Sequence, residues 1–257
     1  MGYEKFASVY DIMMQDVPYE QWANYLEAIM VKYDAVPEMI LDLGCGTGTM
    51  TQLLAEKGYE TIGVDLSEDM LITAKEKAHK SNLDILYLCQ DMTCFELYGT
   101  VGCVVSVCDS LNYITEEEQL LQVFKLVNNY LEPGGLFIFD LNTVYKFKEV
   151  LGDNTFAQAY EKCAYIWDNY YYDEEKMNEY NLTIFIEENN KYSRYEELHY
   201  EKAYSIETIK SLLKSAGLKV EAIYDDNTFD EEVATSERIY FVAREQLKEK
   251  QSEGLHN

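Results

Sequence analysis

The chain has 257 residues, 47% of them hydrophobic, with 47 acidic against 21 basic side chains and a formal net charge of −26. Length and apolar content allow one large domain with an elaborate insertion. The charge weighs heavily against a long, non-specific grip on nucleic acid, which relies on Lys and Arg against phosphates, and no uncharged apolar run approaches the roughly 18 residues of a membrane span.

Residues 4–15 and 19–34 read as helices parted by Pro18, with Trp22, Tyr25, Leu26, Ile29 and Met30 at helical spacing. An apolar strand from about 38 then reaches Asp42 and enters Gly44-Cys45-Gly46-Thr47-Gly48, followed by a helix over 50–57 that Gly58 stops. Glycine serves where backbone turns with positive φ or approaches a ligand closely. A strand, a glycine turn and a helix open a nucleotide-binding α/β unit, with the ligand over the helix N-terminus. A dinucleotide fingerprint G-x-G-x-x-G/A starting at Gly44 needs a small residue at 49, which is Thr49; the spacing here is G-x-G-x-G.

The second strand, 61–65, ends in Asp65, an acid suited to ribose hydroxyls. Ser67 caps a helix over 68–80, and a third strand, 85–90, ends at Asp91. A dehydrogenase shares an acid at Asp65 but accounts for neither Gly48 nor Asp91. The fourth strand, 102–107, leads into Cys108-Asp109-Ser110-Leu111-Asn112-Tyr113; Thr115 and Glu118 read as a capping box opening a helix to about 131. Pro133-Gly134-Gly135 turns into a fifth strand, 136–140. Alternating strands and helices predict a parallel sheet covered on both faces, with ligands at the carboxyl ends of the strands.

Residues 142–204 break that rhythm. Strands over 165–172, 180–187 and 192–202, joined by polar turns, predict an inserted antiparallel β meander dense in aromatics. On the second of these, Tyr180, Leu182, Ile184 and Ile186 share one face; periodicity does not say which face looks inward. Ser205 caps a helix to about 216, strands follow over 218–224 and 238–244, and the charged tail from about 246 is expected to fray. The core is thus expected at 1–141 and 205–245, with a helical cap at 1–35, a lid at 142–204 and a tail at 246–257.

The glycine spacing, with Asp42 before it and Asp65 and Asp91 ending the next two strands, resembles class I S-adenosylmethionine (SAM) methyltransferases over most of 36–141 and again over about 205–244. The resemblance implies a Rossmann-like α/β fold with a seven-stranded sheet whose last strand is antiparallel. It also implies SAM as cofactor and S-adenosylhomocysteine as product. Carried onto this chain, the cofactor residues are Asp42, Gly44, Cys45, Gly46, Gly48, Asp65, Leu66, Gln90, Asp91 and Met92, with Asp91 facing the adenine amino group and Leu66 the adenine face. The loop holding Asp109 lies, in that family, beside the methionine portion and the acceptor atom. Tyr10, Tyr19 and Trp22 stand in the N-terminal segment that closes over SAM there, where a tyrosine bonds its carboxylate; packing of these helices onto the sheet accounts for them equally well. An insertion after strand five forms a lid in glycine N-methyltransferase and aminosugar N-methyltransferases. The likeness is nearest to bacterial methyltransferases that share the Phe-Ala-x-x-Tyr-Asp start and the lid.

Methyl transfer needs alignment, exclusion of water and sometimes a base, so no obligatory catalytic motif exists. Asp109 and His199 are the catalytic candidates, each also explicable as a turn acid or a structurally bonded strand histidine; Asn112 and Tyr113 are weaker ones. The Asn/Asp-Pro-Pro-Tyr/Phe motif of adenine and glutamine N-methylases is absent, and Lys202 stands where relatives carry Arg, which speaks against a bidentate clamp there. The six cysteines, at 45, 89, 94, 103, 108 and 163, form no C-x-x-C pair and read as reduced small hydrophobes, with no metal expected. The N-terminus is polar and charged, so a cytoplasmic location is expected. The expectation is a SAM-dependent methyltransferase acting on N or O of a small-molecule acceptor, without nucleic-acid or membrane partners, as monomer or homodimer. The rivals are an RNA or protein methyltransferase and a non-catalytic SAM-binding module.

Overall fold

The computed structural model describes residues 3–246 and 248; the rest of the expected tail, His256 included, lies outside them. Helices α1 (Tyr3–Met13) and α2 (Tyr19–Lys32) precede β1 (Met39–Leu43), α3 (Thr49–Glu56), β2 (Glu60–Asp65), α4 (Glu68–Lys80), β3 (Leu86–Cys89), β4 (Val101–Ser106), α5 (Glu117–Tyr130) and β5 (Leu131–Asn142). The chain then builds β6 (Thr155–Ala159), β7 (Cys163–Tyr172), β8 (Met177–Glu188) and β9 (Lys191–Lys202), and returns through α6 (Ile206–Ser215), β10 (Leu218–Asp225) and β11 (Arg238–Glu245).

Among the described residues, seven strands form one sheet in the order β10-β11-β5-β4-β1-β2-β3. β3, β2, β1, β4 and β5 run parallel, and β11 is antiparallel to both β5 and β10. β4 is buried at every position, as expected of a central strand covered on both faces. Alternation along β5 divides the core: Leu136 and Ile138 pack with Trp22, Leu26 and Ile29 of α2, while Phe137 and Phe139 pack with Phe124 of α5 and Phe241 of β11. Phe139 and Phe241 stack with centroids 5.0 Å apart. Strand order reverses between β1 and β4, opening a crevice at their carboxyl ends.

The expected capping box does not form. Glu116, not Thr115, takes the extended N-cap position of α5, and no side chain caps it. The helix is held instead by its apolar stripe, Leu120, Val123, Phe124 and Val127, at helical spacing.

The insertion forms a second sheet, order β6-β7-β8-β9, antiparallel throughout. The three expected strands are present, with β6 added. β6 escaped reading because four of its five residues are exposed, leaving no alternation to detect. A short helical segment, Lys146–Leu151, anchors the insertion through Phe147 and Leu151, which are buried with Trp167 and Tyr171 packed against them. The inward face carries Leu182, Ile184 and Ile186, against which Phe6, Ala7 and Val9 of α1 pack; Tyr170, Tyr172, Tyr192 and Tyr200 look outward and are exposed. Both ends of the insertion are tied to the loop after β4 by one buried side chain. Asn112 Nδ2 donates to the carbonyls of Asn142 (3.2 Å) and Lys202 (2.9 Å), and its Oδ1 accepts from the Asn142 amide (3.0 Å).

Candidate active site

The crevice continues into a cavity of about 1050 Å³ that runs from the glycine turn, past the loop after β4, to the inward face of the inserted sheet. That is at the upper end of small-molecule sites, which run to about 1,000 Å³. Every residue that the sequence suggested for the site lines it except Gly48 and the weaker candidate Asn112.

The turn after β1 has all three glycines at positive φ (83°, 53° and 74°). A Cβ on Gly44 would stand 2.7 Å from Ser110 Cβ, whereas one on Gly46 would meet no protein atom within 4 Å, so Gly46 faces open cavity. Gly48 instead abuts Tyr87 and Ala74, and its role is packing at the start of α3. The turn is pinned by the amides of Gly44 and Cys45 donating to the Val64 carbonyl (2.8 and 3.0 Å). Asp11 fastens α1 over it: Thr47 Oγ1 and Lys77 Nζ donate to the Asp11 carboxylate at 2.6 and 2.7 Å. Asp11 was not read as a site residue, although it ends the Phe-Ala-x-x-Tyr-Asp start.

Three acids end the strands as expected, each in a different state. Asp42 is 2% exposed and accepts from Thr51 Oγ1 at 2.6 Å; burial pushes its carboxyl up to about 7. Asp65 receives the amides of Gly46 and Ser67, one on each oxygen, at 2.8 Å; burial raises its pKa too. Asp91 takes the Thr93 amide and hydroxyl on a single oxygen (2.8 and 2.7 Å), so its other oxygen makes no bond within that turn. Leu66, 70% exposed, and Met92 also line the cavity. Gln90 reaches the wall, but its side-chain amide is engaged at both ends by the Glu96 backbone (3.2 and 2.7 Å).

At the far end of the first half, Tyr10, Tyr19 and Trp22 line the wall, and the Arg238 guanidinium sits 5.3 Å from the Trp22 ring centroid. Arg238 binds both Asp140 and Asp109. Asp109, expected as an orienting group or proton acceptor, therefore has one oxygen committed to the Arg238 guanidinium at 3.0 Å. Asn112, the weaker candidate, is fully engaged as the tie between the ends of the insertion and faces no acceptor.

Under the inserted sheet the cavity is walled by rings. His199 is 7% exposed; Tyr180 stacks on it at 4.8 Å and Tyr113 meets it edge-on at 5.8 Å. Burial lowers the His199 pKa to about 4, and its Nε2 has no hydrogen-bond partner among the described residues. Two positions further along β9, Glu201 is 3% exposed on the same wall. Burial, and then the nearby Asp109, raise its pKa. Sequence reasoning missed Glu201 and Arg238. Strand alternation with His199 was the available signal for Glu201; nothing in the spacing marked Arg238, which meets Asp109 and Asp140 only through β11 pairing with β5.

A methyltransferase-domain family profile matches residues 40–135. The Bacillus subtilis protein YqeM, named as a methyltransferase, is 39% identical over 249 residues, covering 95% of this chain and 97% of its own. A crystal structure of a SAM-dependent methyltransferase from Clostridium acetobutylicum superposes with a TM-score of 0.86 at 33% identity, covering 95% of this chain and 99% of that one. An N,N-dimethyltransferase of a dTDP-amino sugar from Streptomyces venezuelae is 33% identical over 101 residues, covering 39% of this chain and 41% of its own. With matches across nearly the whole length of two of these proteins, the chain belongs to the SAM-dependent methyltransferases.

Proposed function

We propose that this methyltransferase acts on a nitrogen or oxygen atom of a small molecule in the cytoplasm. The observation that carries this reading is the continuation of the cofactor crevice into a cavity walled by Tyr113, Trp167, Tyr180, Leu182, His199 and Glu201, which suits a small acceptor better than a polymer lying across the surface. The partial likeness to an amino-sugar N,N-dimethyltransferase points the same way. The net charge of −26 argues against RNA. No helix among the described residues is long and apolar enough to cross a membrane.

The cleft fits the cofactor: Gly46 leaves an open cradle where a side chain would intrude, and Asp65 and Asp91 retain unused lone pairs at the strand ends. Bound there, SAM supplies an electrophilic methyl group on a sulfonium. The residues we assign to holding it are Asp65 for the ribose hydroxyls, Asp91, Leu66 and Met92 for the adenine, and Gly44 to Gly46 with Asp42, Tyr10, Tyr19, Trp22 and Asp109 for the methionine portion. Their work is alignment and exclusion of water, and the carboxylates also favour a cationic ligand.

The test is incubation with SAM carrying an isotope-labelled methyl group and the small-metabolite, RNA and protein fractions of a cell extract. Label in the metabolite fraction is expected. Label in RNA or protein would overturn the small-molecule reading. Absence of label anywhere, with SAM binding measured by calorimetry, would favour a non-catalytic SAM-binding module.

A further inference from the structure

The half of the cavity under the inserted sheet holds polar groups that the cofactor reading leaves unused. Three observations converge there. His199 is more than nine-tenths buried, lines the cavity, and has an Nε2 without a partner among the described residues. A buried polar atom of this kind is costly to the fold unless something binds it. Glu201, 97% buried by the same measure (3% exposed), faces the same space. Its neighbours act in both senses: Asp109 opposes its charge, while a hydrogen bond with Tyr180 and, more weakly, the charges of Arg238 and Lys146 favour it, and Arg238 is already held by Asp109 and Asp140. The walls are aromatic, with Tyr180 stacked on His199, Trp167 edge-on to Tyr180 at 5.3 Å, and Tyr113 edge-on to His199. Ring faces attract a cation, and a buried carboxyl whose charge is opposed by burial is ionised by a cation brought beside it; neither gives anything comparable to an alcohol.

Resting on the methyltransferase reading above, we propose that this half of the cavity is an amine subsite, in which Glu201 and His199 Nε2 hold a primary or secondary ammonium group and Glu201 takes the proton that the nitrogen must lose. The ammonium first gives one proton to a Glu201 oxygen, which later passes it to water. The lone pair so freed forms the new N–C bond as the S–C bond breaks with its electron pair staying on sulfur. The neutral His199 ring accepts a second N–H and fixes the direction of the lone pair. An alcohol leaves Glu201 without a cation and supplies a single donor for two acceptors.

The experiment titrates the full chain, saturated with S-adenosylhomocysteine, with benzylamine and with benzyl alcohol, followed by ligand-observed NMR. Benzylamine is expected to bind at least tenfold more tightly. Glu201→Gln should bring that ratio close to one while S-adenosylhomocysteine affinity, measured by calorimetry, stays within twofold. Lys146→Met, the second variant, removes a competing cation and should strengthen benzylamine binding. Equal binding of the two probes, binding of neither, a ratio unchanged by Glu201→Gln, or weaker amine binding in Lys146→Met would each overturn the proposal. Failure of the wild-type chain to bind S-adenosylhomocysteine would instead overturn the assignment of the cofactor cleft.

Discussion

Arg238 at the start of β11 reaches across to β5 and donates to Asp140 at 2.5 Å, joining two side chains 98 positions apart in the sequence inside a fully buried layer. The same Asp140 carboxylate accepts the amides of Cys108 and Asp109 at 3.0 and 2.8 Å. Those two residues have φ of 62° and 57°, a left-handed conformation that side chains other than glycine seldom hold without support. The Asp140–Arg238 pair is thus what keeps the loop after β4 in its conformation at the cavity wall.

Breaking that pair should be costly. Arg238→Met leaves a buried carboxylate uncompensated, and the expected loss is about 3–5 kcal/mol by chemical denaturation. Adding Asp140→Asn removes the stranded charge and should recover part of the loss. An Arg238→Met protein as stable as the wild type would show that the pair contributes nothing.

Two neighbouring glycines should separate cofactor binding from folding. Gly46→Val places its Cβ with no protein atom within 4 Å, so its stability cost is expected to be mainly left-handed strain, roughly 1–2 kcal/mol. SAM binding should fall below detection, because the side chain enters the cradle. Gly48→Ala carries similar strain and adds a collision with Tyr87 and Ala74, so its unfolding midpoint should drop further. Calorimetry and thermal melts on both variants decide; wild-type SAM affinity in Gly46→Val would remove this turn from the site.

His199 should make the protein acid-sensitive. Its folded pKa, lowered by burial to about 4, lies below its ordinary 6.5, so the unfolded chain takes up the proton first as pH falls. Stability from this group is intact above 6.5 and declines by about 1.4 kcal/mol per pH unit toward 4. The difference between wild type and His199→Gln, measured by denaturation across that range, should show this slope. A parallel pair of curves would mean that the ring is solvated.

Asp42 acts in the opposite sense. Its folded pKa of about 7 lies above the ordinary 3.8, so stability from the protonated carboxyl is full below 3.8 and is lost as pH rises through 7. Asp42→Asn should melt higher than wild type at pH 8 and similarly at pH 4, while binding SAM more weakly. A lower melting temperature at pH 8 would argue that the ionised form is the one the fold stabilises.

Asn112 should control the insertion without touching the cofactor. Asn112→Ala strands two carbonyls and an amide at its two ends, an expected cost of about 1–3 kcal/mol. Limited proteolysis should then cut within 142–204 sooner, and the KM for the acceptor should rise with SAM affinity unchanged. Unchanged cleavage would leave Asn112 as an ordinary buried amide.

The local grammar of this chain was open to reading because it depends on neighbours in sequence. The positive-φ turn at Gly44 to Gly48, the Ser67 and Ser205 caps, and the β8 face of Leu182, Ile184 and Ile186 follow from spacing alone. β6 and the Glu116 cap were not legible, since one lacks alternation and the other breaks the capping preference. Which lid aromatics line the cavity, and what Asp109, Asn112 and Glu201 each face, was settled only when β11 paired with β5 and the ends of the insertion met the loop after β4. The sequence by itself determined the strand-turn-helix unit and its acids, because periodicity and backbone sterics act over a few residues. Tertiary structure alone decided which acid is paired and which is left facing the cavity, because electrostatic partnership depends on distance in space and the partners lie 129 positions apart in the case of Asp109 and Arg238.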